Sequence, residues 1–225
     1  MLIELARNLN RRLPGGLRRA LLVRRRARYW QEAGIVFIHV PKAAGTSINE
    51  ALYGRFMGHA HALDVVRWAP PYVKALPRFS VTRNPWSRLV SAWRFARQGR
   101  GVGETYRAGM WRAERYRVPE FETFERFVKE WLAPREITRL DGVFQPQWMF
   151  LCDRRGALLV DHVGMLEDLG PTLEFVGRMR GETLQIRRAN RSGEAVDYRS
   201  LYTPELANIV GDIYRDDVRK FGYDF

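Results

Sequence analysis

Two short segments of this 225-residue chain carry residues whose types and spacing suit the binding of a phosphorylated ligand. The first is Pro41-Lys42-Ala43-Ala44-Gly45-Thr46-Ser47. A turn of small residues entering a helix exposes successive backbone N–H groups. The helix dipole adds about half a positive charge there, so the place attracts phosphate. Lys42 would add a point charge, and Thr46 and Ser47 two hydroxyl donors. In a Walker A loop the lysine follows the second glycine and directly precedes Ser or Thr. Here it comes three residues before the only glycine of the loop. On the loop alone, an ordinary strand-to-helix connection capped by Ser and Thr fits the same residues. The second segment is Arg83-Asn84-Pro85, with Ser91 eight residues beyond Arg83. An arginine fork together with a hydroxyl is a sensible pair for a terminal phosphate dianion, because bidentate charge-assisted contacts are the strong ones.

Both segments are introduced by strands. Ile35-Val36-Phe37-Ile38-His39-Val40 is a run of β-branched and aromatic residues without polar alternation, as in a strand covered on both faces. After the loop, Ile48, Ala51 and Leu52 recur at helical spacing. Phe79-Ser80-Val81-Thr82 is a second strand, and Leu89, Val90 and Trp93 mark one stripe of the helix after it. Strand then helix, twice, implies a parallel sheet with right-handed crossovers. Arg83 would then stand at the carboxyl edge of the sheet, where open α/β folds bind ligands. Further elements are expected as an amphipathic helix over 121–132, a third strand at Ala157–Val160 or running on to Val163, a helix near Pro171–Met179, and a last helix with Thr203 as N-cap and Pro204 at its first position. Gly99–Gly109 reads as a loop. The expected fold is a P-loop-like three-layer α/β domain, its central parallel sheet flanked by helices.

Lone Cys152 cannot form an intramolecular disulfide, which points to a reducing, cytoplasmic setting. The formal net charge of +13 is lopsided: residues 1–30 hold nine arginines against Glu4, giving +8 there and +5 elsewhere. A mildly basic main domain suits a small anionic ligand better than long nucleic acid. We therefore divide the chain into a basic helical arm, 1–30, and an α/β domain, 31–225. The arm packs on the domain or stands in solvent; alternatively its residues 1–28 dock peripherally on an anionic membrane surface or polymer. Apolar runs in it are too short for a transmembrane span, and no signal-peptide pattern is present.

Val40–Ser47 resembles the 5′-phosphosulfate loop of sulfotransferases that use 3′-phosphoadenosine-5′-phosphosulfate, in the form found in the carbohydrate "family 2" group. Val81-Thr82-Arg83-Asn84-Pro85-Trp86-Ser87-Arg88-Leu89-Val90-Ser91-Ala92 is similar to the 3′-phosphate segment of the same family, in the right order. Val163–Leu169 and Ile213–Tyr223 resemble two later family segments. The resemblance implies sulfuryl transfer to a hydroxyl of a carbohydrate or similar acceptor, leaving adenosine 3′,5′-bisphosphate. It implies that Lys42, Ala43, Ala44, Gly45, Thr46, Ser47, Arg83 and Ser91 bind the nucleotide, that Asn190 and Ser192 approach it, and that the segment Phe144-Gln145-Pro146-Gln147-Trp148, similar to a family Pro-Gln segment, lines the acceptor side.

Lys42 would also stabilise the leaving phosphate, and a general base must stand opposite. Of the four histidines, His39 and His162 fall in or near strands and read as structural. His59, in Gly58-His59-Ala60-His61, matches the family's Gly-His position, and His61 is the alternative. No metal-ligand spacing is present, so no metal is expected. Two other readings remain open: a P-loop-like nucleotide kinase or NTPase, and a non-enzymatic binder of anionic polymer.

Overall fold

A computed structural model of the protein describes residues 14–98, 113–186 and 197–225. The loop expected at Gly99–Gly109, the candidates Asn190 and Ser192, and residues 1–13 of the arm lie outside these.

The sheet has three strands, β1 (Val36–Ile38), β2 (Arg78–Thr82) and β3 (His162–Met165), all parallel and in that spatial order. Phe37 pairs with Phe79 and Phe79 with His162, so their side chains share one face. Helices cover both faces, which is why the β1 run shows no polar alternation. Val36, Ile38 and Val40 pack against α1 (Gly15–Ala33) and α3 (Ala62–Trp68), meeting Val23, Ala27, Trp30 and Val65. Ile35, Phe37, Phe79 and Val81 point the other way and meet Ile48 and Leu52 of α2 (Gly45–Tyr53). Val176, from the helix Gly170–Arg180 after β3, joins that face. The result is a P-loop-like three-layer α/β domain, as expected from the strand–helix pattern.

A further core, rich in aromatic rings, forms around α4 (Pro85–Gln98), where Trp86 and Trp93 pack with Phe121, Phe124, Phe127, Trp131 and Phe144. The regular helix expected over 121–132 is instead a short α-turn, Phe124–Arg126, running into a π-helical stretch, Phe127–Leu132. The wider winding lets Phe127, Val128, Trp131 and Leu132 all stay buried.

The third strand also lies later than expected. Asp153 Oδ1 accepts N–H bonds from Arg155 and Ala157, turning the chain back, and Leu159 N–H then donates to the Leu151 carbonyl. Residues 157–160 are consumed in that return, so pairing with β2 begins only at His162. The last helix has Thr203 accepting from Leu206 N–H, as expected, but breaks at Tyr214 into Pro204–Ile213 and Arg215–Phe221. Among the described residues no helix is long and apolar enough to cross a membrane.

α1 leaves Arg18, Arg19, Arg24, Arg25 and Arg28 exposed and buries Ala20, Val23, Ala27, Trp30 and Ala33. Residue 30 falls within this helix, in contact with the sheet's core. Trp30→Ala should cost about 3–5 kcal/mol of folding stability, from lost burial and the cavity left behind. Urea denaturation checks this, with exposed Arg24→Ala as the near-neutral comparison; an unchanged midpoint for Trp30→Ala would remove α1 from the core.

Candidate nucleotide and transfer site

The loop after β1 is a tight turn in which Lys42 and Ala44 both adopt left-handed backbone, at φ 68° and 54°. For residues with a Cβ this costs about 1–2 kcal/mol each. The strained turn brings the chain onto α2, and the N–H groups of Gly45, Thr46 and Ser47 at the helix start have no acceptor among the described residues. Gly45 is required here: a Cβ would lie 1.7 Å from His39 Cδ2, so the helix start rests directly on the His39 imidazole. Thr46 and Ser47 are half-buried on this first turn, and Ala43 is buried beneath it.

Arg83 follows directly after β2. Its Nη1 donates to the Lys42 carbonyl at 3.3 Å and its Nε to Ser87 Oγ at 2.9 Å. Residues 83, 87, 91 and 95 are spaced by four along α4 and its entry, so Ser91 lies on the same stripe as Ser87, and Phe95 one turn further. Lys42 Nζ sits 4.3 Å from the centre of the Phe95 ring. The lysine backbone therefore meets one end of the stripe and its ammonium the other, with Ser91 between. Burial, and secondarily the Arg83 charge, bring the Lys42 pKa down to about 8. Burial lowers that of Arg83 too, partly opposed by Glu167. Neither Lys42 nor Arg83 has a carboxylate within ion-pair distance among the described residues.

The Arg83 backbone is itself held. Its N–H donates to Gln147 Oε1 at 2.9 Å, and its carbonyl accepts from Gln147 Nε2 at 2.8 Å. Gln147 is fully buried, which corrects the expectation that it lines an acceptor surface. Asp217 accepts from the backbone N–H groups of Gln147 and Trp148 at 2.8 and 2.9 Å. Burial pushes the Asp217 carboxyl up to about 6, against the opposing effects of Arg88 and these hydrogen bonds.

His39 is buried, and its ring centre lies 4.2 Å from that of His59. Asn49 Nδ2, which also donates to the Gly45 carbonyl, stands 3.2 Å from His39 Nδ1, so that nitrogen is an acceptor. His59 Nδ1 lies 3.1 Å from the His39 carbonyl, which can only accept. The His59 proton is therefore on Nδ1, leaving the Nε2 lone pair free. His59 has an exposed side. Desolvation of the rest of the ring, reinforced by the Arg26, His61 and Lys42 charges, holds its pKa below the ordinary 6.5, against the pull of the His39 hydrogen bond. His61, the N-cap of α3, has Nδ1 2.8 Å from the Met149 carbonyl and stacks on Phe150.

An open cleft of about 580 Å³ adjoins the His59 segment, sharing Phe56 and Met57. Arg24, Arg25, Arg28 and Arg55 line it around Tyr29, whose hydroxyl accepts from Arg28 and, at 2.5 Å, from Arg55. None of the four makes an ion pair among the described residues. Below them Arg26 Nη1 donates to the His59 carbonyl at 3.2 Å.

Lys42, Gly45, Thr46, Ser47, Arg83 and Ser91 thus come together, and His59 lies close enough to feel the Lys42 charge. The sequence analysis gives no role to Ser87 or to Gln147 as the partner of the Arg83 backbone; spacing by four from Arg83 points to Ser87.

Replacing Gly45 by alanine would drive a methyl into the His39 ring, which Asn49 holds in place. Gly45→Ala should destabilise the domain by about 1–3 kcal/mol, read as a lower urea midpoint; an unchanged midpoint would contradict the close contact.

Neither a search of curated proteins nor one of solved structures finds a match to this chain. A family model described as "Sulfotransferase family" matches residues 25–224, a span that contains the loop, the Arg83 stripe, the histidines and the C-terminal helices. The chain belongs to the sulfotransferase family.

Proposed function

We propose that this sulfotransferase takes its sulfuryl group from 3′-phosphoadenosine-5′-phosphosulfate and passes it to a hydroxyl of a carbohydrate or similar acceptor, with His59 as general base. The observation that carries this reading is the meeting of the Lys42 loop with Arg83 at the start of α2, two cations without carboxylate partners beside free helix N–H groups. Such a place suits two phosphate groups of one nucleotide. The Gly45–Ser47 N–H groups and Lys42 hold the 5′-phosphate end. Arg83 and Ser91 hold the 3′-phosphate. His59 Nε2 takes the acceptor proton as the acceptor oxygen bonds to sulfur. The bond from sulfur to the bridging phosphate oxygen breaks, and Lys42 meets the charge growing there. His61 is the weaker candidate for the base, because it lies two residues past the family's Gly-His position and its ring stacks on Phe150. The arginine-lined cleft beside His59 favours an acceptor that carries negative charge.

Adenosine 3′,5′-bisphosphate should bind without magnesium. At about 100 times Kd the stabilisation is about 2.7 kcal/mol, a melting-temperature rise of roughly 5–11 °C for a domain of this size. A shift with magnesium–ATP but none with the bisphosphate would favour a nucleotide kinase or NTPase and sink the donor assignment. Arg83→Ala should weaken bisphosphate binding by about 1.5–3 kcal/mol through lost charged hydrogen bonds, measured by calorimetric titration; unchanged affinity would take Arg83 out of the site.

His59→Ala should lower turnover about 10²- to 10⁴-fold while leaving bisphosphate affinity nearly intact. The base acts when neutral, and its folded pKa lies below 6.5. Activity should therefore hold as pH falls through 6.5 and decline only at more acid pH. A normal rate for His59→Ala beside a depressed one for His61→Ala would move the base two residues on.

A further inference from the structure

Gln147 spends both ends of its side-chain amide on one backbone residue, and that residue is Arg83. In an extended strand the N–H and carbonyl of a given residue point to the same side, so a neighbouring strand ordinarily pairs both. On the β1 side of β2 that neighbour is gone: the last residue of β2 paired with β1 is Ser80, opposite Ile38, and the chain beyond turns into the Lys42 loop. The Gln147 amide takes the place of the missing strand at Arg83.

The glutamine is held rather than adaptable. It has no exposed surface, and neither has Asp217, whose two carboxylate oxygens accept the backbone N–H groups of Gln147 and Trp148. Arg88 strengthens the same strap by donating to the Val143 and Gln145 carbonyls, and Tyr214 by donating to the Phe144 carbonyl at 2.7 Å. A buried polar side chain with all its bonds made has one geometry open to it. The backbone of Arg83 inherits that geometry, and its guanidinium starts from a fixed base.

We propose that Gln147, anchored by Asp217, is a positioning residue that sets Arg83 for the 3′-phosphate of the nucleotide. This rests on the assignment of Arg83 to that phosphate. Loss of the clamp would then cost affinity for a ligand that has the 3′-phosphate and spare one that lacks it.

The test is calorimetric titration of the full chain with adenosine 3′,5′-bisphosphate and with adenosine 5′-monophosphate. Gln147→Met keeps the side-chain length and removes both amide bonds. It should weaken bisphosphate binding about tenfold and leave the monophosphate within about twofold. In an Arg83→Ala background the same change should add nothing further. Unchanged bisphosphate affinity, or an equal loss for both nucleotides, overturns the proposal and leaves Gln147 a structural residue. If Gln147→Met does not fold, Asp217→Asn gives the same reading one step removed, with an expected loss of about threefold for the bisphosphate alone; no loss overturns it equally. If Arg83→Ala itself binds the bisphosphate normally, the phosphate assignment of Arg83 has failed, a result distinct from failure of the clamp.

Discussion

The start of α2 can rest on the end of β1 only because residue 45 has no side chain, and much of the site follows from that contact. With Gly45 lying on the His39 ring, residues 41–44 must turn sharply ahead of the helix, and Lys42 and Ala44 take left-handed backbone to do so. The strain of about 1–2 kcal/mol at each is offset by packing around them: Ala43 and Val40 are buried, and Asn49 fastens the first turn of α2 to His39. The same His39 offers its carbonyl to His59 and so decides which nitrogen of that ring keeps a lone pair. One steric fact thereby connects the donor end of the site to the proton-accepting end.

Charge is the second organising constraint. The Lys42 and Arg83 charges repel, and that repulsion adds to burial in lowering the Lys42 pKa. A fold selected for stability alone would insert a carboxylate. Instead the lysine ammonium lies over Phe95, where the ring face gives some compensation without neutralising it. Arg83 is tied by its own backbone, by Ser87 and by the Lys42 carbonyl, all uncharged partners. Such an arrangement preserves positive potential for an incoming dianion.

Much of the fold could be read from the chain because strand and helix patterns here are local. The apolar run at 35–40, the small-residue turn and the helical spacing from Ile48 need no knowledge of distant residues, and the stripe from Arg83 to Ser91 is likewise contained in one helix. What was not legible depends on tertiary partners. A completely buried glutamine cannot be distinguished from a surface one by its neighbours Pro146 and Trp148, so Gln147 read as lining. His39 reads as structural, and its contacts with Gly45 and His59 come from six and twenty residues further along the chain, beyond the reach of a local pattern. The third strand was misplaced because Asp153 folds 157–160 back on Leu151, a use of that apolar run which periodicity does not reveal.

The elements that complete the site are among the last in the chain. Asp217 fixes the backbone of Gln147, Tyr223 shares a hydrogen bond of 2.9 Å with Thr82 Oγ1, and the Asp224 carbonyl accepts from Asn84 Nδ2. Asn84 in turn accepts from Trp86 and Ser87 N–H, capping α4 at the point where the Arg83 stripe begins. These bonds join residues about 70 to 140 positions apart, and loop closure over such distances is costly until the intervening core has formed. The Arg83 edge of β2 is therefore the part of the site whose order depends most on distant segments, whereas the backbone turn at Lys42 rests chiefly on β1, α2 and the Gly58–His59 segment, with Arg83 and Phe95 meeting Lys42 from α4 and its entry. The two ends of the proposed nucleotide site thus have different origins: one is a local, strained turn, the other is assembled from segments far apart in the chain.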